Sequence, residues 1–154
     1  MRAGSLILLL ATVASAHSIG SSFATVRVDG DHLQVELRVR TTDLAVALGL
    51  DRDQDGVLAP QELDLGRVKP WLREGVVLTA SGGAPHCEVR SMRVVETALP
   101  GADRPQGVLE ATLCWKGVPP GATLEIAPFR AVDPEHASLA RVVRDGEESG
   151  FVFR

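Results

Sequence analysis

Residues 51–62 read D-R-D-Q-D-G-V-L-A-P-Q-E, and their spacing constrains the local fold more than any other stretch of the chain. Carboxylates occupy the first, third, fifth and twelfth positions, and a glycine occupies the sixth. A hard divalent cation binds about six to eight oxygen atoms, and a glycine at the sixth position allows the sharp turn that brings those oxygens together. The spacing predicts a loop that wraps around a calcium ion between two helices, which is the EF-hand arrangement.

The predicted ligands of the calcium ion follow from the loop positions. The seventh position supplies a backbone carbonyl, and the apolar eighth position packs the loop onto its surroundings. The alternative is an acidic, solvated turn without an ion. Four carboxylates held this close repel one another unless a cation lies among them, which favours calcium binding. The expected ligands are the side chains of Asp51, Asp53, Asp55 and Glu62 and the carbonyl of Val57.

The N-terminal residues have the pattern of a secretory signal peptide. Arg2 precedes an apolar run over residues 6–13, and the tripeptide A-S-A at residues 14–16 is the kind of small-residue site that signal peptidase cleaves. The apolar run is too short to span a membrane. We therefore expect a signal peptide at residues 1–16 and a secreted or periplasmic domain at residues 17–154, with no direct membrane insertion after cleavage.

The charge of the mature chain limits its partners. Removal of Arg2 leaves 16 − 1 = 15 Lys and Arg against 20 Asp and Glu, a formal charge of 15 − 20 = −5. A negatively charged chain without a clustered basic stripe argues against nucleic acid and anionic lipid as partners. The length is that of one domain with its own core.

Two cysteines, Cys87 and Cys114, are present. In an exported chain a single pair of cysteines favours one structural disulfide, and the alternative is two buried free thiols. Neither cysteine belongs to a Cys-x-x-Cys pair, so a redox-active motif is not predicted.

Alternation of apolar and polar residues predicts a mainly β fold. Residues 24–28 and 33–39 alternate at every second position, and D-G-D between them supplies the turn of a hairpin. Short strands at this spacing favour an immunoglobulin-like β-sandwich, formed by a single domain at residues 17–154. Phe151 and Phe153 share one strand face and are predicted to lie in the core. Six further strands are predicted at residues 76–80, 87–97, 107–116, 123–128, 138–144 and 151–153.

The EF-hand-like helix-loop-helix is predicted as an insertion into this fold, at about residues 42–72. A threonine and an aspartate at residues 42–43 can cap a first helix that runs to Leu48. The second helix is expected to begin at Pro60, which has no amide to leave unpaired in a first turn. Pro70 is expected to end or kink that helix, because it cannot donate a backbone hydrogen bond.

Several stretches of the chain resemble a known family. They are the Ala-His at the predicted signal-peptide cleavage site, the hairpin A-T-V-R-V-D-G-D-H-L-Q-V-E-L-R-V, the stretch L-G-L-D-R-D-Q-D-G, the two later cysteines and the D-P-E-H that begins at Asp133. Together they resemble the extracytoplasmic N-terminal region of HupE/UreJ-type membrane proteins, which are linked to nickel or cobalt uptake. We expect an accessory or interaction module with a membrane protein partner, because a sandwich leaves little freedom for the helix opening of an independent calcium sensor, which is the alternative. Because the sequence stops at Arg154, before any membrane helix, transport is not expected of this chain alone.

Two histidines suggest an alternative role in binding or handling Cu, Ni or Co. Signal cleavage would make His17 the N-terminal residue, and its α-amine and imidazole suit these metals. His136 is the candidate for a second ligand. The alternative is that His17 lies in a frayed terminus and His136 in a turn.

The sequence contains no convincing catalytic constellation. Ser21, Ser22 and Ser81 have no evident general base, and no glycine-rich phosphate loop is present. The chain is therefore predicted to be a non-catalytic calcium-binding domain.

Overall fold

The computed structural model describes residues 20–54, 58–99 and 105–153. The predicted signal peptide lies outside the described residues. The fold is mainly β, as predicted. Its strands are β1 (Ser22–Asp29), β2 (His32–Arg40), β3 (Val76–Thr79), β4 (Glu88–Thr97), β5 (Gln106–Trp115), β6 (Thr123–Ile126), β7 (Ser138–Arg144) and β8 (Glu147–Phe153), and its α-helices are α1 (Thr41–Leu48) and α2 (Leu65–Gly75).

The described strands form one six-stranded sheet and one two-stranded sheet. The order in the larger sheet is β4-β5-β2-β1-β7-β8, and β3 pairs with β6 in the smaller one. All neighbouring strands are antiparallel except β1 and β7, which are parallel. In this register Val26 lies opposite Val35 on one side and Val142 on the other.

The core lies on one face of the six-stranded sheet. Successive side chains of a strand point to opposite faces, so the predicted alternation places the apolar positions of residues 24–28 and 33–39 on the same side, whereas Phe23 lies on the opposite face. The same cluster takes in residues from both helices and from the smaller sheet, so the two sheets and the helices share one core. Representative members are Val26, Val35, Leu37 and Leu113 from the large sheet, Val76 and Ile126 from the small sheet, and Leu44, Val68 and Leu72 from the helices.

The first helix differs slightly from the prediction. It begins at Thr41, directly after β2, and no side chain caps its N-terminus. The carboxylate of Asp43 instead accepts a hydrogen bond from Nε of Arg40 at 2.7 Å. The helix ends at Leu48 and is capped by Gly49, whose φ of 56° is the left-handed conformation common at helix C-termini.

The second helix begins later than predicted. Pro60 starts a single 3₁₀ turn (Pro60–Glu62), and α2 itself begins at Leu65. The helix begins there because the side chain of Asp64 accepts a hydrogen bond from the amide of Gly66 at 2.9 Å and so caps it. The prediction for Pro70 is that it ends or kinks the helix. Pro70 lies inside α2 and does not end it, so a kink is the part of that prediction that stays.

The predicted disulfide is absent from the structure, where Cys87 and Cys114 are both free thiols. Glu88, the residue after Cys87, lies directly opposite Cys114. The side chain of Cys87 packs against the core, whereas buried Cys114 lies outside the core cluster. Burial raises the pKa of both thiols.

The last strand is longer and more exposed than predicted. It begins at Glu147, and Phe151 is 51% exposed, so the prediction that Phe151 lies in the core is wrong. Phe153 does pack against the core. The alternation was correct, but β8 is the outermost strand and little covers Phe151 there.

No helix within the described residues is long and apolar enough to cross a membrane.

Candidate metal site between the two helices

Two buried leucines fix the acidic loop to the protein. Leu50 and Leu58 belong to the core cluster, on either side of the residues that carry the first carboxylates. The amide of Leu50 donates to the carbonyl of Ala45 at 3.0 Å, which ties the start of the loop to α1. Leu58 is the predicted apolar eighth position, and its burial anchors the second half of the loop.

The two helices are joined at the base of the loop. The guanidinium of Arg67, in the first turn of α2, donates to the carbonyl of Leu48 at the end of α1. This contact links the C-terminus of one helix to the N-terminus of the other, so the loop is closed at its base.

Three of the predicted ligands converge. Asp51, Asp53 and Glu62 each offer a carboxylate oxygen, and these oxygens all lie within 4.8 Å of one another. Asp53 is exposed, Asp51 is half-buried and Glu62 is only 8% exposed. The cluster is therefore open to solvent on one side and backed by the protein on the other.

The remaining two predicted ligands, Asp55 and Val57, lie in the segment 55–57, outside the described residues. They follow Gln54, which adopts a left-handed backbone conformation with a φ of 60° although it is not a glycine. This conformation is uncommon for residues other than glycine, and it turns the chain immediately after Asp53.

Glu62 is held in place by backbone amides on both sides of the loop. One carboxylate oxygen accepts from the amide of Arg52 at 2.8 Å, and the other accepts from the amide of Ala59 at 3.0 Å. The carboxylate thereby bridges the two ends of the loop.

Those amides also set the ionisation of Glu62. The hydrogen bonds from Arg52 and Ala59, with a weaker one from Asp53, hold the pKa of Glu62 below its usual value of 4.5. Burial and the neighbouring Asp51 act in the opposite direction but are smaller than the two main hydrogen bonds together. Glu62 is therefore a carboxylate, not a carboxylic acid, at neutral pH.

The local sequence explains this geometry. The amide of Glu62 donates to the carbonyl of Ala59 at 2.9 Å while the side chain of Glu62 accepts from the amide of Ala59. The hydrogen bond from the amide of Ala59 to the side chain of Glu62 is the one that a capping box makes at the start of a helix. Pro60 fits the first position of the turn, where no backbone amide is needed. Glu62 thus lies in a separate 3₁₀ turn and not within α2.

His136 is buried, being 7% exposed, and it joins the start of β1 to the start of β7. Its Nε2 accepts a hydrogen bond from the amide of Ser22 at 3.2 Å and lies 3.1 Å from the hydroxyl of that serine. The hydroxyl of Ser22 is in turn 2.7 Å from that of Ser138. The histidine ring also contacts Phe129, at a centroid distance of 4.6 Å.

This buried polar cluster was missed at the sequence level. The sequence pattern indicates Ser22 only as a candidate nucleophile and Ser138 only as the first residue of a strand. The parallel pairing of β1 with β7, which brings Ser22 opposite Ser138, has no short-range signature in the sequence. His17, the other histidine of the predicted transition-metal pair, lies outside the described residues.

Comparison of the sequence with models of known protein families gives no match. Comparison with curated proteins finds no similar protein.

Proposed function

We propose that the chain is a non-catalytic domain that binds a calcium ion in the loop at residues 51–62. The observation that carries the proposal is the convergence of oxygens from Asp51, Asp53 and Glu62 within 4.8 Å. These residues occupy the first, third and twelfth positions of the loop, where a calcium-binding loop needs its carboxylates.

The chemistry of these groups favours calcium over transition metals. All three side chains offer hard oxygen atoms, and calcium accepts such ligands in flexible arrangements. Copper and nickel prefer imidazole and amine nitrogen atoms as ligands. With Asp55 and the carbonyl of Val57 as further ligands, we expect a dissociation constant on the order of 10⁻⁵ to 10⁻³ M, as in extracellular and sensor sites.

The packing of the two helices favours a stabilising role for the ion. Leu44 of α1 and Val68 of α2 are buried in the core that both sheets share. A sensor hand exposes an apolar groove when its helices swing apart. Such a movement here would expose core residues, so calcium is proposed to stiffen the insertion without opening it.

The layered arrangement is proposed to be an immunoglobulin-like sandwich into which the EF-hand-like segment is inserted. The support is that residues of the six-stranded and the two-stranded sheet belong to one core. The signal-peptide pattern at residues 1–16 supports a secreted or periplasmic location.

The biological role proposed for the domain is that of an accessory or interaction module for a membrane protein. The support is the resemblance of its motifs to the extracytoplasmic region of metal-uptake proteins. A coding sequence for hydrophobic helices that follows or neighbours this one would favour the role. A genome with no membrane-protein gene nearby would count against it.

Calorimetric titration with calcium tests the proposed binding. Glu62→Gln keeps the size of the side chain but removes its charge, and it should abolish most of the heat. Glu74→Gln removes the same charge from an exposed position of α2 and is the matched control. An unaltered titration after Glu62→Gln, or no heat with the parent chain, would contradict the proposal.

The transition-metal alternative has less support. Nε2 of His136 already accepts a hydrogen bond from the backbone of Ser22, inside the protein. Copper or nickel at that nitrogen would have to displace one of the hydrogen bonds that join the starts of β1 and β7.

A further inference from the structure

The outer side of β8 is an exposed strand edge. β8 is the last strand of the six-stranded sheet, and within the described residues only β7 pairs with it. Six of its seven residues are exposed. An outer strand carries backbone amides and carbonyls directed away from the sheet, and these groups can pair with another strand.

The opposite edge of the sheet, β4, is built differently. The register of β4 shifts between Val89 and Ser91, and Arg90, Arg93 and Glu96 place charges along the strand. Bulges and charges of this kind discourage pairing between edges. β8 pairs with β7 along its whole length without a shift, and its two charges, Glu147 and Glu148, lie together at one end of the strand.

Both faces of β8 carry an exposed apolar side chain. Phe151 is 51% exposed on the core side of the sheet, and Val152 is 57% exposed on the other side. On the side of Val152, an open depression of about 450 Å³ extends over Gly150, Leu139 and Phe23. Gly150 has no side chain to fill this depression, and apart from its chain neighbours no other atom lies within 4 Å of the position that a Cβ would take there.

We propose that β8 pairs antiparallel with β8 of a second copy of this chain, about a two-fold axis at Gly150. Gly150 is the middle residue of Glu147–Phe153, so this register uses the full length of both strands. The two six-stranded sheets would then form one continuous sheet across the axis.

The charges of β8 select the antiparallel direction for a pairing between two copies. The strand has an acidic end, Glu147 and Glu148, and an apolar end, Phe151 to Phe153. About an axis at Gly150, antiparallel pairing places Glu147 opposite Phe153 and Glu148 opposite Val152. A parallel arrangement in the same register would instead set the glutamates of the two copies side by side, which is unfavourable.

The shapes of the two copies also match in this register. Residues diagonal across an antiparallel pair lie about 7–8 Å apart, within reach of large side chains. Phe151 is diagonal to Phe151 of the second copy, so the two exposed rings can meet. Val152 is diagonal to Gly150 of the second copy, so it can enter the depression that this glycine leaves open.

Analytical ultracentrifugation of the full chain over a wide range of concentration tests the association. The parent chain should sediment as a dimer at high concentration, and Phe151→Lys should shift it to the monomer. Val94→Lys is the matched control, because Val94 is a similarly exposed apolar residue on the other edge strand. A parent chain that stays monomeric throughout, or a dimer that Val94→Lys disrupts as strongly as Phe151→Lys, would overturn the proposal.

A cross-linking measurement tests the register independently. In a chain with Cys87→Ser and Cys114→Ala, Gly150→Cys places one thiol from each copy at the axis. Mild oxidation should then give a disulfide-linked dimer, and the matched Ser81→Cys variant, at an exposed position after β3, should give far less. Equal cross-linking at both positions would show random collision and would contradict the proposed axis.

Discussion

The polar face of the large sheet and the loop at residues 51–62 both carry carboxylates, but they surround them differently. On the sheet, Glu110 lies 3.0 Å from Nε of Arg38 on one side and 2.7 Å from a guanidinium nitrogen of Arg93 on the other. In the loop, Asp51 and Glu62 lie with a third carboxylate in one cluster, and Glu62 is held by backbone amides.

The difference lies in how each region positions its carboxylates. Cross-strand register places Arg38 opposite Glu110 and Glu110 opposite Arg93, so the sheet supplies a cation for its carboxylate. The loop gathers three carboxylates around a common point. The sheet is thus expected to be independent of added cations, whereas the loop is expected to respond to them.

The largest effect is expected in the core, and it should be independent of calcium. Trp115 is 2% exposed and belongs to the core cluster. Trp115→Ala should lower the free energy of unfolding by about 3–5 kcal/mol, because it leaves a large cavity. Chemical denaturation with and without calcium measures this loss. The half-buried Trp71→Ala should lower the free energy of unfolding by less. If calcium restored the stability lost in Trp115→Ala, the core would not be independent of the loop, and the distinction between the two regions would be contradicted.

The next largest effect should come from the ion itself. Calcium that binds only the folded loop stabilises the fold by about 2.7 kcal/mol when its concentration is one hundred times the dissociation constant. Thermal unfolding should show this as a higher melting temperature in calcium. Glu62→Gln should remove the increase and Glu74→Gln should keep it. Equal stabilisation of both variants would place the bound ion elsewhere.

The pH dependence of the calcium-free protein should report the contacts of Glu62. Hydrogen bonds from Arg52 and Ala59 lower the pKa of Glu62 in the folded state below 4.5. Their contribution to stability is therefore complete above pH 4.5 and is lost as the pH falls through the folded-state pKa. Unfolding measured from neutral to acidic pH should show this loss. The acid-induced loss should be smaller in Glu62→Gln, and an identical profile would show that these contacts are unimportant.

The smallest effect is expected on the polar face of the sheet. Glu110→Gln should cost about 0–1 kcal/mol, because both arginines beside it are more than half exposed. Added salt should reduce the difference from the parent chain. Calcium should stabilise this variant as much as the parent, and a reduced response to calcium would link the two regions.

Much of the strand content was predictable because it depends on local alternation. The β1–β2 hairpin and β7 follow directly from every-second-residue patterns, and β7 has the predicted bounds. The order of strands was not predictable, because the parallel contact between β1 and β7 joins residues far apart in sequence. Exposure of Phe151 follows from that order, since alternation fixes the face of a residue but not whether the strand lies at an edge.

The candidate metal site was predictable where it depends on the spacing of carboxylates within the short segment 51–62. Asp51, Asp53 and Glu62 converge as the loop pattern indicates. The role of Glu62 in holding the two ends of the loop depends on the 3₁₀ turn at Pro60, where the sequence predicts the start of a continuous helix. The buried contacts of His136 depend on tertiary packing, which composition and spacing do not reveal.

A crystal structure of the protein grown with calcium tests the central claim most directly. The account predicts an ion at the loop, confirmed by its anomalous scattering, with carboxylate oxygens of Asp51, Asp53 and Glu62 at about 2.3–2.6 Å. An empty loop at saturating calcium, or an ion bound only to other residues, would contradict it.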